Sequence, residues 1–149
     1  MSDLLDLYKE VVIDHGRRPR NFRVIEAPSH KADGYNPLCG DRLTLYVQVD
    51  NDGVIQDVAF KGSGCAISTA SASLLTEHLR GKTVEQAAKI FDHFHRVLTE
   101  DGVDSDSTLL GKLAALEGVR QYPTRVKCAT LAWHTLHSAL NDEGHVTTE

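Results

Sequence analysis

The sequence predicts an α+β domain in which a small antiparallel β-sheet carries helices on one face. Three observations lead there. Leu43, Leu45, Val47 and Val49 alternate with Arg42, Thr44, Gln48 and Asp50, and Asp52-Gly53 then offers a reversal before a second β-rich run. Elsewhere the apolar residues recur at the three-to-four-residue spacing of amphipathic helices. A lone hairpin is marginal in water, so the helices must cover it. At 149 residues the whole chain, 1–149, reads as one domain large enough to bury a core.

In chain order, Leu4, Leu7, Tyr8, Val11 and His15 share one helix face, which Pro19 and Asn21 terminate. Residues 27–37 contain Pro28, Gly34 and Pro37 and read as loop, with a short edge strand around Lys31–Tyr35. The alternating run is a half-buried strand, and Val54–Lys61 is its return partner, with Val54, Val58 and Phe60 inward. A two-residue turn at Asp52-Gly53, with positive φ at both positions, pairs Asn51 with Val54, Val47 with Val58 and Leu45 with Phe60. That register keeps apolar side chains together on one face. Extended to the open end, it sets Asp41 opposite Gly64 and Gly40 opposite Cys65, so Cys39 and Cys65 become neighbours.

Helical patterns follow. Ile67, Ala70, Leu74 and His78 form one stripe, stopped by Gly81. Thr83 and Gln86 make a capping box for a helix with Ala87, Phe91, Phe94 and Leu98 inward. Residues 99–107 are an acidic, polar loop. Leu109, Leu113 and Leu116 suggest a short helix closed near Gly118. Pro123-Thr124 opens the last helix, whose inner face carries Ala129, Ala132, Trp133, Leu136 and Leu140. The polar tail after Asn141 is expected to fray.

Composition excludes several function classes. A net charge of −5 argues against nucleic acid as a partner, since phosphate binding needs clustered Lys and Arg. No apolar run reaches the roughly 20 residues of a membrane span. Residues 1–6 are acidic, unlike a signal peptide, and a cytoplasmic location is expected. The one basic cluster, Arg17, Arg18, Arg20 and Arg23, is either a solvated loop or a docking surface for an acidic protein. Three cysteines cannot all pair within one chain, which leaves inert buried thiols, a metal site or a nucleophile.

The cysteine surroundings favour metal. Cys65 follows Gly62-Ser63-Gly64 at a predicted helix start, and Cys128 lies soon after Pro123 at another. Helix N-termini favour thiolates. Cys39-Gly40-Asp41 adds a third thiol and a carboxylate, and the glycine between them lets both converge. Cys39, Asp41, Cys65 and Cys128 would complete a tetrahedral zinc site. Three thiolates and a carboxylate leave such a site with excess negative charge, and Arg125 and Lys127 are the cations placed to offset it. Three small core hydrophobes remain the competing reading, strongest for Cys128 beside Ala129. The pairs His93/His95 and His134/His137 are expected to face solvent.

Three stretches resemble the NifU/IscU superfamily: Asn36-Pro37-Leu38-Cys39-Gly40-Asp41, Gly62-Ser63-Gly64-Cys65-Ala66-Ile67-Ser68, and Arg125-Val126-Lys127-Cys128-Ala129. Asp14-His15 followed by Arg18-Pro19-Arg20-Asn21 resembles that family's first helix end. The chain looks most like the SufU branch. Lys127 stands where cluster scaffolds of the IscU branch carry a histidine, and Tyr122-Pro123-Thr124-Arg125-Val126 replaces their Leu-Pro-Pro-Val-Lys segment. The stretch around 96–118 is an addition relative to those scaffolds. The resemblance implies a SufE/NifU-like fold and a zinc-dependent sulfurtransferase working with a SufS-type, pyridoxal-phosphate cysteine desulfurase. It implies delivery to a downstream iron–sulfur scaffold complex. It makes Cys39 the sulfur acceptor, with Asp41, Cys65 and Cys128 holding zinc beside it, and a partner histidine replacing Cys39 on the metal during docking. The alternative it leaves is a scaffold holding a transient 2Fe–2S cluster on the same cysteines.

Overall fold

The computed structural model describes residues 2–148, with side chains from residue 9 onward. Helix α1 spans Ser2–Arg17 and strand β1 spans His30–Asn36. The hairpin follows as β2 (Asp41–Val49) and β3 (Ile55–Ser63). Helices α2 (Ala66–Leu79) and α3 (Val84–Thr99) come next, then a short α4 (Ser107–Leu110) and a 3-10 segment, Gly111–Gln121. Helix α5 (Pro123–Leu140) and strand β4 (His145–Thr147) complete the chain. The architecture is α+β, as expected.

The sheet differs from expectation in two ways. Its order is β3-β2-β1-β4, so the segment around Lys31–Tyr35 lies inside the sheet and is not an edge. The tail expected to fray supplies the outer strand, which runs parallel to β1, so the sheet is mixed. The tail has one apolar residue, Val146, between His145 and Thr147, and no hydropathy pattern marks it. Its stability comes from pairing with an existing strand.

The hairpin register holds at Val47↔Val58 and Leu45↔Phe60, and reaches Arg42↔Ser63. The turn is not the predicted one. Gly53 has φ +78, but Asp52 is not in the positive-φ region. A bulge at Gln48/Val49 pairs Val49 with Ile55, and the Asp50 carboxylate accepts the backbone N–H groups of Asp52 and Val54. A side chain thus closes the loop, and the bulge brings Ile55, in place of Val54, into the core.

Helices α2 and α5 pack across one face of the sheet, and α1 lies on α2. At Gly34 of β1, a Cβ would stand 2.0 Å from Thr135 Oγ1 of α5, so a hydrogen there is what allows the close approach. The other sheet face is partly covered by its own side chains, with Tyr46 and Ala59 buried. There Lys31 lies over Tyr46 and Arg42 over Tyr35, each pair directly cross-strand. The predicted capping box of α3 is present in full. Phe91 and Phe94 pack on Trp133 of α5, so α3 forms an outer layer.

The Asp14–Asn21 motif is a structural clasp. Ser73 Oγ of α2 accepts the Arg20 N–H at 2.8 Å and is hydrogen-bonded to His15 Nδ1 at 2.7 Å. Asn21, at φ +57, donates to Thr76 Oγ1, and its carbonyl accepts the Phe60 N–H of β3. Arg18 and Arg20 pair with Asp14, and Arg23 pairs with Asp57. Most of the basic cluster is therefore engaged within the chain. Side chains of Leu4, Leu7 and Tyr8 lie outside the described residues.

Candidate metal centre

The open end of the hairpin and the start of α5 build the centre. Gly40, at φ +73, reverses the chain between Cys39 and Asp41. Asp41 begins β2 and is fully buried. Its Oδ1 accepts the Cys65 N–H at 2.8 Å, which realises the predicted approach of residues 40–41 to 64–65. Gly64 is needed for it, because a Cβ there would stand 2.6 Å from that same Oδ1. Cys65 caps α2 and its Sγ accepts the Ser68 N–H at 3.4 Å.

Cys39, Asp41 and Cys128 have donor atoms all within 4.8 Å of one another, the one such group found among the described residues. The Cys39 and Cys128 sulfurs are 3.2 Å apart. A tetrahedral zinc with bonds of about 2.3 Å keeps sulfurs about 3.8 Å apart. The cluster therefore fits such an ion with small side-chain shifts, and two thiols plus a carboxylate are chemically apt donors. Cys65 stands at the rim of this group, outside the 4.8 Å set, yet its thiol still acts on Cys128 electrostatically.

Helix-start stabilisation of a thiolate does not extend to Cys128. It is the sixth residue of α5 and fully buried, and burial pushes its thiol pKa up, reinforced by hydrogen bonding with Cys39, Asp41 and Cys65. On the protein's own charges the Cys128 thiol resists deprotonation, and a bound divalent cation would reverse that balance. Arg125 is exposed, with Nη1 3.9 Å from Cys39 Sγ. Its pKa is raised by hydrogen bonding to Cys128, then by charge on Cys65, Cys128 and Cys39, so it answers to all three cysteines. Lys127 does not join it. That residue lines a separate cleft with His95 and His134. Of the four histidines in the two sequence pairs, none belongs to the metal group and His137 is exposed as expected, whereas His93, His95 and His134 are half-buried, with His134 edge-on to Phe91.

Sequence reasoning missed Asn36. Fully buried, it donates through Nδ2 to Asp41 Oδ2 at 3.0 Å and to Cys128 Sγ at 3.5 Å. Its place in the Asn36–Asp41 stretch was the available signal.

The NifU-like N-terminal domain family matches residues 7–142. This chain belongs to that family. It is 40% identical over 95% of both chains to the zinc-dependent sulfurtransferase SufU of Bacillus subtilis. It is 39% identical to the iron–sulfur cluster assembly scaffold protein IscU of Streptococcus pyogenes, over 94% of this chain and 86% of that one. Among solved structures, FiSufU of Fervidobacterium islandicum AW-1, a candidate iron–sulfur cluster assembly scaffold for the SUF system, superposes with a TM-score of 0.81. It is 36% identical, covering 88% of this chain and 94% of that one. The family and its part in iron–sulfur cluster assembly are therefore clear. The relatives' names divide over which part.

Proposed function

We propose that this chain is a zinc-dependent sulfurtransferase. It takes sulfur from the persulfide of a SufS-type cysteine desulfurase and passes it to a downstream iron–sulfur scaffold complex in the cytoplasm. Cys39, Asp41, Cys65 and Cys128 hold the zinc. The observation that carries the reading is the unequal tethering of these four donors. Asp41 is buried and pinned at both oxygens, Cys128 is buried against Asn36, and Cys65 is held in its helix cap. Cys39 lies in a turn, half-buried, and beyond Cys128 its sulfur has only the exposed Arg125 as a hydrogen-bond partner among the described side chains. It is the donor that can leave at least cost. The likeness to SufU over almost the full length of both chains supports the same reading.

When bound, zinc keeps the sulfurs deprotonated near neutral pH and adds to folding stability. The Cys39 thiolate attacks the outer sulfur of the donor persulfide. A bond forms between Cys39 Sγ and that sulfur, the donor's S–S bond breaks, and the donor departs as a thiolate. No net oxidation occurs. Arg125 stands beside the attacking sulfur and offsets charge as it is released. Asp41, Cys65 and Cys128 would hold the zinc while Cys39 reacts, because each is tethered within the chain and Cys39 is not.

The test mixes this protein with a cognate cysteine desulfurase and free cysteine, traps thiols by alkylation and maps added sulfur by mass spectrometry. Sulfur is expected on Cys39. Cys39→Ala is expected to retain zinc yet fail to accelerate alanine release. Sulfur on Cys128, or acceptance by Cys39→Ala, refutes the assignment. The relatives named as scaffolds favour a second reading, a transient 2Fe–2S cluster on the same cysteines. It prevails if the wild type takes no sulfur but assembles a stable cluster from iron and sulfide.

A further inference from the structure

We propose that Asn36, itself fixed by Thr148 at the end of the C-terminal strand, is the positioning residue that keeps Asp41 and Cys128 on the metal while Cys39 departs. The inference rests on the zinc reading above. Its basis is one fully buried amide whose two ends are both engaged. The Nδ2 group donates to Asp41 Oδ2 at 3.0 Å and to Cys128 Sγ at 3.5 Å, and Oδ1 accepts the Thr148 hydroxyl at 2.8 Å. Flipping the amide would set its carbonyl against a carboxylate and a sulfur, acceptor against acceptor, so its orientation is determined by chemistry. The amide nitrogen's lone pair is delocalised into its carbonyl, so this end acts only as a donor. It can stabilise the charge on both donors without competing for the cation.

The tail completes the device. Strand β4 pairs with β1 through Asp33↔His145, Gly34↔Val146 and Tyr35↔Thr147. The Thr148 N–H then donates to the Tyr35 carbonyl at 3.0 Å, which places its hydroxyl over Asn36. Asn36 is directly cross-strand from Asp41, so one strand register sets both donor and acceptor. No comparable buried tether reaches Cys39 among the described residues. Outer-shell partners that orient metal ligands typically carry about 10–100-fold in metal affinity. Here that contribution falls on two of the four ligands and spares the one that must move. The last strand, remote in sequence from the cysteine loop, thereby decides which ligand is exchangeable.

The experiment loads full-length protein with zinc and follows release to a chromogenic chelator, with Trp133 fluorescence and melting curves to monitor folding. Asn36→Ala is expected to speed release about 10–100-fold. Thr148→Val removes the hydroxyl and is expected to speed release several-fold at unchanged melting temperature, whereas Thr148→Ser restores the wild-type rate. A merely structural tail would not separate valine from serine in this way. In a Cys39→Ala background, adding Asn36→Ala is expected to abolish the remaining zinc retention. If Asn36→Ala does not fold, the Thr148 pair decides. A wild type that holds zinc, with release unchanged in Thr148→Val, overturns this inference alone. A wild type that holds no zinc overturns the zinc reading as well.

Discussion

Replacing Gly64 by alanine tests the site through a single methyl group. The added Cβ would lie 2.6 Å from Asp41 Oδ1 and 3.2 Å from Asp41 Cβ and Cγ. Asp41 cannot swing away freely, because it is buried and held by Asn36 and by the Cys65 N–H. Either the methyl group is accommodated under compression, at about 1–3 kcal/mol, or the carboxylate moves and loses its hydrogen bond from Cys65, at about 1.5–3 kcal/mol. These are alternatives and do not add. Borne by the metal site, about 1–3 kcal/mol weakens zinc binding roughly 5–150-fold. Borne by the fold, it lowers the melting temperature by about 2–4 °C per kcal/mol. Two glycines serve as controls. Gly118→Ala meets nothing within 4 Å and has an ordinary φ, so it should be neutral or stabilise by about 0.4–1 kcal/mol. Gly40→Ala also meets nothing, but at φ +73 it should cost about 1–2 kcal/mol in the turn that carries Cys39. Chelator competition and calorimetry on the three variants give the answer. If Gly64→Ala binds zinc as tightly and melts as high as Gly118→Ala, Asp41 does not hold the metal in the position described.

Three further outcomes are expected. Cys128→Ala and Cys65→Ala should lose more zinc affinity than the about 10–100-fold typical of outer-shell changes, and should melt lower; full zinc content in both, by elemental analysis, would contradict the ligand set. Arg125→Ala should keep its fold but release zinc faster or activate the desulfurase less, an effect that should shrink in high salt because the guanidinium is exposed; unchanged release and unchanged activation together would count against it. His15 is buried with its pKa lowered, first by desolvation and then by Arg20, so the folded state resists a proton that the unfolded chain accepts near the ordinary value of 6.5. Stability should therefore fall as pH drops below about 6.5 and level off only below the depressed folded pKa, and in His15→Gln, measured side by side from pH 7.5 to 5, the fall should be shallower; equal slopes would show that His15 is not the group responsible.

What the sequence determined by itself is local or periodic. The inward stripe of α5, the Thr83–Gln86 capping box, the pairing of Leu45 with Phe60 and the meeting of Asp41 with residue 65 follow from spacing, because a period and a reversal are written into consecutive residues, whereas the stretch 109–118 read as one short helix is a four-residue α4 and then a 3-10 segment. The candidate ligands were legible for the same reason, through glycine-flanked cysteines and one carboxylate. Tertiary structure alone decided the rest. The Asp50 side chain reset the hairpin loop and shifted Ile55 inward, since one carboxylate satisfying two N–H groups outweighed the turn type the dipeptide favours. Residues 145–147 became a strand only because β1 offered an unpaired edge. Cys128 proved to be a buried thiol with a raised pKa, because its environment is set by α5 packing beneath β1 and not by distance from Pro123. Asn36 matters through partners 5, 92 and 112 residues away, and no linear pattern records where a buried amide finds its donors and acceptors.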